Sequence, residues 1–145
     1  MILFSSALEL ILEYIIIMNK LVIDVVSEKI FLMIITKDVT YNITKENTKI
    51  NYEKLILIVK DFLDSNSLKF DDITEIYVNR GPGSFAGIRN SLSLVKALYV
   101  SKKIDYYCYS FNDFKHQKDI KYEDIPNLCD KFKIKKNLIK PIYLS

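Results

Sequence analysis

The sequence predicts an α/β fold with the element order β-β-β-α-β-α and one further strand. Three observations carry this. Short apolar runs rich in β-branched residues come before and between two segments of helical periodicity. All three glycines of the chain, Gly81, Gly83 and Gly87, lie within the string Asn79–Arg89, N-R-G-P-G-S-F-A-G-I-R. A strand-like run, Ile73–Val78, precedes the string and a helical one, Ile88–Val100, follows it, so the string reads as a tight strand-to-helix turn.

The elements follow in order. Met1–Ile17 is apolar, but Glu9 and Glu13 interrupt it, and it has neither a basic flank nor a small-residue cleavage site. It is too short and too charged to span a membrane and is not a signal peptide; its apolar residues suit a short helix. Leu21–Val26 is the first strand, an apolar run around one acid, Asp24. Lys29–Lys37 and Val39–Thr44 are the second and third, joined at Thr36-Lys37-Asp38 as an antiparallel meander. Asn51–Ser65 is the first helix, with Leu55, Ile56, Val59, Phe62 and Leu63 at helical spacing and Asn51 or Thr48 as its cap. Asn66–Asp72 is a polar connector. Beyond the second helix, Ile104–Ser110 reads as one more strand, and Asn112–Leu128, polar and rich in Lys and Asp, as a poor helix or a loop.

The turn has its own chemistry. Gly81 and Gly83 are both expected to take positive φ, with Pro82 stiffening the bend between them. Ser84 is placed to cap the helix. Gly87 lets another group approach the first turn closely. A helix that starts after a glycine turn presents free N–H groups and a positive dipole end. Gly81, Pro82, Gly83, Ser84, Phe85, Gly87 and Arg89, with Asp24, are therefore the candidate anion site. The spacing matches neither G-x-G-x-x-G nor G-x-x-x-x-G-K-[ST].

Composition narrows the function classes. The length predicts one domain, and an apolar fraction of 50% supplies its core. Mean hydropathy near zero predicts a soluble protein. A net charge of +3 is too weak to imply nucleic-acid binding, and 19 of the 21 basic residues are Lys, which argues against bidentate base readout. Cys108 and Cys129 have no metal or redox spacing and read as free thiols. His116 is the only histidine, so neither a two-His zinc site nor H-E-x-x-H can be built. Ser84 lacks a nucleophile elbow, because Ala86 sits where a glycine is needed.

The string G-P-G-S-F-A-G-I-R resembles the G-P-G-S-F-T-G-L-R signature of the TsaB family, with Ala86 for Thr and Ile88 for Leu. Glu53-Lys54-Leu55 resembles a segment of the family's H-S-E-R-L-L-P-x-I, with Asn51 where His is common. Pro141-Ile142-Tyr143-Leu144-Ser145 resembles its P-x-Y-L-R ending. The resemblance implies an actin-like ATPase fold (ASKHA, ribonuclease H-like): an N-terminal lobe over residues 18–111, a remnant C-terminal tail over 112–145, and a second lobe largely missing. Met18 is where the family's chains usually begin, so residues 1–17 are a mis-called start or a dispensable extension. In that superfamily an Asp of the first strand precedes Thr or Ser in a phosphate-binding hairpin. Here Val25 and Val26 follow Asp24, so the other reading is an Asp at a strand end bonding backbone.

The function implied is a non-catalytic scaffold subunit. It supports TsaD, which transfers threonylcarbamoyl to tRNA adenosine, and has no catalytic residue, metal or cofactor of its own. ATP is used by the partner complex. The implied partners are TsaD in a heterodimer and TsaE, an ATPase, in a larger complex, with a homodimer as another assembly. Contact with tRNA runs only through the complex, without a membrane, in the cytoplasm. The alternatives are an anion- or nucleotide-binding regulatory module using the Gly81–Gly87 turn, and an enzyme. On a helical wheel, Phe85, Ile88, Leu92, Val95 and Tyr99 make the stripe that packs on the sheet. Gly87, Ser91, Leu94 and Leu98 make a second stripe. Either it packs on the Asn51–Ser65 helix, or part of it stays open for another subunit. In the family this helix and the preceding one meet TsaD, which makes the second stripe the candidate partner interface.

Overall fold

The structure, a computed structural model, describes residues 6–11 and 18–143. Residues 6–11 are helical (α1), with Leu8, Leu10 and Ile11 exposed. The rest of the 1–17 extension lies outside the described residues. Five strands follow: β1 (Lys20–Asp24), β2 (Lys29–Ile35), β3 (Thr40–Glu46), β4 (Glu75–Asn79) and β5 (Asp105–Tyr109). They form one sheet in the order β3-β2-β1-β4-β5. β1, β2 and β3 make the antiparallel meander, with Lys20 opposite Ile35 and Ile35 opposite Thr40. Thr36 closes its turn, donating from both its N–H and its hydroxyl to the Val39 carbonyl at 3.0 and 2.8 Å. β4 pairs in parallel with β1 and with β5. The three parallel strands therefore end together, at Asp24, Asn79 and Tyr109.

The two-residue period of the strands sorts the core. Leu21 and Ile23, Ile30, Leu32 and Ile34, Ile76 and Val78, Tyr106 and Cys108 face one side. There they pack on α3 (Leu55–Ser65) and α4 (Phe85–Lys102). Val22, Met33, Tyr77 and Tyr109 face the other side, under Phe114, Ile125, Leu128 and Cys129. With both faces covered, the central strands read as nearly continuous apolar runs.

Two expectations need correcting. The Asn51–Ser65 helix is two pieces, α2 (Lys49–Glu53) and α3, because Lys54 leaves helical geometry at φ −103° and ψ 16°. The Thr48 hydroxyl caps α2 by accepting from the Asn51 N–H at 3.2 Å; the Asn51 amide instead donates to the Glu46 carbonyl. Asn112–Leu128 is not a loose segment either. It belongs to a layer of 3₁₀ turns at Phe111–Asp113 and Tyr122–Asp124 and the helix α5 (Ile125–Lys131). In each turn an aspartate reaches back to a preceding N–H: Asp113 to Ser110 at 2.8 Å, Asp124 to Lys121 at 3.1 Å. The apolar anchors Phe114, Ile120, Tyr122, Ile125 and Leu128 have no regular period, so the sheet they meet selects this conformation. Among the described residues no helix is long and apolar enough to cross a membrane.

Candidate functional site

The parallel strands deliver their carboxyl ends to one edge, the position where open α/β sheets hold ligands. Asn79, 2% exposed, organises it. Its side-chain oxygen accepts from the Gly81 N–H at 2.9 Å, and its amide donates to Asp24 Oδ2 at 3.1 Å. The Arg80 N–H donates to the Tyr109 carbonyl at 2.7 Å, tying the turn to β5. Gly81 has φ +112°, a conformation that side chains rarely adopt, and its peptide to Pro82 is cis. Gly83 does not share the positive φ expected of it. Its constraint is space: a Cβ there would lie 2.3 Å from the Val26 carbonyl oxygen. The Ser84 N–H donates to that same oxygen at 3.0 Å, which holds the turn against the end of β1. The Ser84 hydroxyl accepts from the Gly87 N–H at 3.3 Å, the helix cap the sequence predicts.

Asp24 is 5% exposed and its carboxylate is well occupied. One oxygen accepts from the Val26 N–H at 3.3 Å; the other accepts from Asn79 and from the Tyr122 hydroxyl, the latter at 2.7 Å. Asp24 thus sits at the end of β1 with one backbone partner and two side-chain partners. Tyr122 stacks on Phe31 with ring centroids 4.0 Å apart, so the C-terminal layer closes the edge directly over Asp24. Burial, then the Asp24 carboxylate beside it, pushes the Tyr122 phenol above its usual range. The Tyr109 hydroxyl is fully buried and has no hydrogen-bond partner among the described residues.

Arg80 locks the edge from the other side. Its Nε and Nη2 grip Asp113 at 3.3 and 2.6 Å, and Nη1 donates to the Lys140 carbonyl at 3.2 Å. The end of the described chain runs over the turn as a strap. The Ile142 N–H donates to the Arg80 carbonyl at 2.8 Å, Gly83 bridges to Tyr143, and the Tyr143 ring meets Phe85 at 4.7 Å. A Cβ on Gly81 would sit 2.1 Å from the Ile142 carbonyl oxygen.

Within the candidate anion site, several N–H groups are engaged by the chain itself. The N–H groups of Arg80, Gly81, Ser84 and Gly87 donate to Tyr109, Asn79, Val26 and Ser84. Pro82 has no N–H. The turn spends these donors on its own chain. Arg89 is exposed on α4 and Phe85 is 56% exposed, turned to Tyr143 rather than into the sheet.

The second stripe of α4 is not an open groove. Gly87, Ser91, Leu94 and Leu98 are all buried. Ser91 is fully buried, its hydroxyl donating to the Ile88 carbonyl at 3.1 Å. Leu94 and Leu98 belong to one cluster with Leu55, Val59 and Phe62 of α3. The helices' own packing consumes this stripe; near its start α4 exposes Phe85, Ala86 and Arg89, and further along Ser93, Lys96, Ala97 and Val100.

His116 is exposed in a left-handed turn, φ 67°. Cys108 and Cys129 are free and buried, and burial pushes their thiols up to about 11 and about 12. Among the described residues no cluster of three or more His, Cys, Asp or Glu is placed to hold a metal ion. Sequence reasoning missed Asn79, Asp113 and Tyr122. Asn at the start of a glycine turn is a local signal for a side chain that bonds the backbone two residues on, but the other two act across 33 and 98 residues.

Residues 43–110 match the family model for TsaD, described as tRNA N6-adenosine threonylcarbamoyltransferase. The fold matches YeaZ from Pseudomonas aeruginosa at a TM-score of 0.59 and 20% identity, over 64% of this chain and 44% of that one. It matches a second structure, an uncharacterized protein with similarity to peptidase YEAZ from the same organism, at 0.59 and 20%, over 64% and 43%. The chain spans less than half the length of either. No curated protein matches it. What the likeness shows is the fold, a mixed α/β lobe built on the five-stranded sheet.

Proposed function

We propose that this TsaB-like chain is a non-catalytic subunit that supports a TsaD-type enzyme in threonylcarbamoyl transfer to tRNA adenosine. The observation that carries the reading is the turn G-P-G-S-F-A-G-I-R. It lies inside the stretch matched by the family model and is folded as a structural joint. The polar groups where a related lobe would meet a ligand are engaged by Asn79, Tyr122, Asp113 and the strap. A subunit that contributes shape rather than chemistry fits such a closed edge. In this reading ATP is consumed by the partners, a TsaD-type enzyme and a TsaE-type ATPase, and the chain holds no cofactor. The anion-binding alternative has less support, because the N–H groups of Arg80, Gly81, Ser84 and Gly87 already donate within the chain.

The surface we assign to the enzyme partner is the exposed patch where α2 meets the start of α4. Phe85 is 56% exposed there, with Lys49, Glu53, Ala86 and Arg89 around it. Size-exclusion chromatography of the chain with a TsaD-type protein tests the assignment. A co-eluting complex that Phe85→Asp disrupts, with circular dichroism melting unchanged, is the expected result. Failure of the wild-type chain to co-elute would remove the subunit reading. A complex that Phe85→Asp leaves intact would move the interface elsewhere. The same column run on the chain alone reads whether it forms a homodimer.

A further inference from the structure

The net charge of the chain is unevenly spread. Residues 1–110 carry thirteen basic and thirteen acidic side chains, whereas residues 111–145 carry eight lysines against five acids. The whole +3 therefore resides in the C-terminal layer and strap. Within it, residues 131–140, K-F-K-I-K-K-N-L-I-K, hold five lysines and no acid. A compositional preference for lysine would spread along the chain and does not explain this concentration.

The local fold turns the run into a surface. Lys131, Lys133, Lys135 and Lys136 are exposed, while the intervening Phe132 and Ile134 are half-buried and pack on the sheet's second face. The alternation points the apolar side chains inward and the ammonium groups outward. Among the described residues, Lys131, Lys133 and Lys135 are ion-paired with no carboxylate; Lys136 lies 3.7 Å from Asp105. The Lys131 ammonium sits over the Phe132 ring at 5.6 Å.

A cavity of 380 Å³ adjoins the strip. Lys133 and Lys136 line it from one side, Lys20 at the start of β1 lines it too, and Tyr107 stacks on Tyr77 in its wall at 5.0 Å. Glu75 and Asp130 also line it, but the Tyr77 hydroxyl donates to Glu75 and occupies part of that carboxylate. Unpaired ammonium groups beside an aromatic-walled recess match a phosphodiester chain. Lysine binds phosphate as a point charge without sequence readout, and a recess accepts a sugar or base edge.

We infer that residues 131–136, with Lys20 and the Tyr107 cavity, form a contact surface for the phosphate backbone of RNA. The choice of tRNA as the RNA rests on the function proposed above; the charge geometry does not. This differs from the sequence-based expectation that the chain meets tRNA only through its complex. An anionic membrane is the less favoured partner, because within residues 131–136 Phe132 and Ile134 turn toward the core; the exposed Leu138 and Ile139 lie beyond that strip.

The test is fluorescence anisotropy of the full chain, alone, with end-labelled tRNA at about 50 and about 200 mM salt, the range over which phosphate contacts weaken strongly. Two triple variants are compared: Lys131→Glu, Lys133→Glu and Lys135→Glu on the strip, and Lys37→Glu, Lys45→Glu and Lys54→Glu elsewhere. Both change net charge equally. The strip variant is expected to lose about tenfold or more in affinity and to flatten the salt dependence, the control less than about threefold. If the glutamates unfold the strip variant, the Lys→Gln triple replaces it, with a smaller loss in the same order. Equal losses in the two variants, or no binding of the wild type at low salt, would overturn the inference. So would binding to phosphatidylserine vesicles without binding to tRNA. Because no partner enzyme is present, failure here leaves the subunit reading intact, and co-elution with a TsaD-type protein tests that separately.

Discussion

A methyl group has no room at Gly83. Its Cβ would press on the Val26 carbonyl oxygen and lie 2.7 Å from the Val26 Cβ, both parts of β1's exit that cannot swing aside. Gly83→Ala is therefore expected to cost about 1–3 kcal/mol by overpacking, read by urea unfolding. An unchanged midpoint would show that the β1 exit yields. Tyr122→Phe removes one hydrogen bond to a buried carboxylate and should cost about 1.5–3 kcal/mol, with the Phe31 stacking retained. The cysteines set an alkaline limit. Burial holds Cys108 and Cys129 protonated in the fold to about 11 and about 12, whereas an unfolded thiol ionises near ~8.5. Above ~8.5 the unfolded chain binds fewer protons than the folded one, so their contribution is complete below that pH and is lost as pH rises toward 11–12. Urea midpoints should fall between about pH 9 and pH 11, and Cys129→Ala should flatten that fall.

At the scale of elements, the packing of α4 decides a question left open by its periodicity. An apolar arc broad enough for two surfaces is used for two intramolecular ones, the sheet and α3. Ser91→Tyr places a ring where the native side chain has no exposure. Its expected effect is on folding: a stability loss of about 1–3 kcal/mol or more and a lower circular dichroism melting temperature. A variant that melts normally would show that α3 and α4 can part. The strap is the second such element. Its peptide groups and Asn137 fasten it to β5 and to the turn: the Asn137 N–H donates to the Tyr106 carbonyl at 2.7 Å, and its side chain accepts from the Tyr106 N–H at 3.0 Å. The helical periodicity of α3 and α4 and the apolar runs of β1 and β2 are visible in the sequence. The layer from Phe111 to Lys131 is not, because its anchors are ordered by contact with the sheet and not by a period of their own.

For the whole molecule, the edge formed by β1, β4 and β5 is shut by residues from the far end of the chain. Arg80 and Asp113 are its clasp, with side chains 12% and 20% exposed. Removing one partner strands the other, so Arg80→Ala should cost about 3 kcal/mol, and a double-mutant cycle with Asp113→Ala should show strong coupling. Independent effects would mean that the Lys140 carbonyl, not Asp113, holds the guanidinium. The closure also joins elements through the Gly81–Gly87 turn: the N–H groups of Gly81, Ser84 and Gly87 donate to acceptors of the same chain. Contact surfaces are then sought outside it, at the α2–α4 patch and on the lysine strip.

The sequence by itself determined the βα turn, the Ser84 cap, the meander and the two helical segments, because each rests on interactions within a few residues, where turn chemistry and periodicity operate. It also carried the resemblance to the TsaB family. Only the tertiary structure decided what the candidate residues face. Asp24 meets Tyr122 across 98 residues, Arg80 meets Asp113 across 33, and Gly81 lies under Ile142. Such contacts depend on the sheet bringing distant segments to one edge. No local pattern encodes that, which is why the sequence shows the glycines of the turn but not the strap that lies over them.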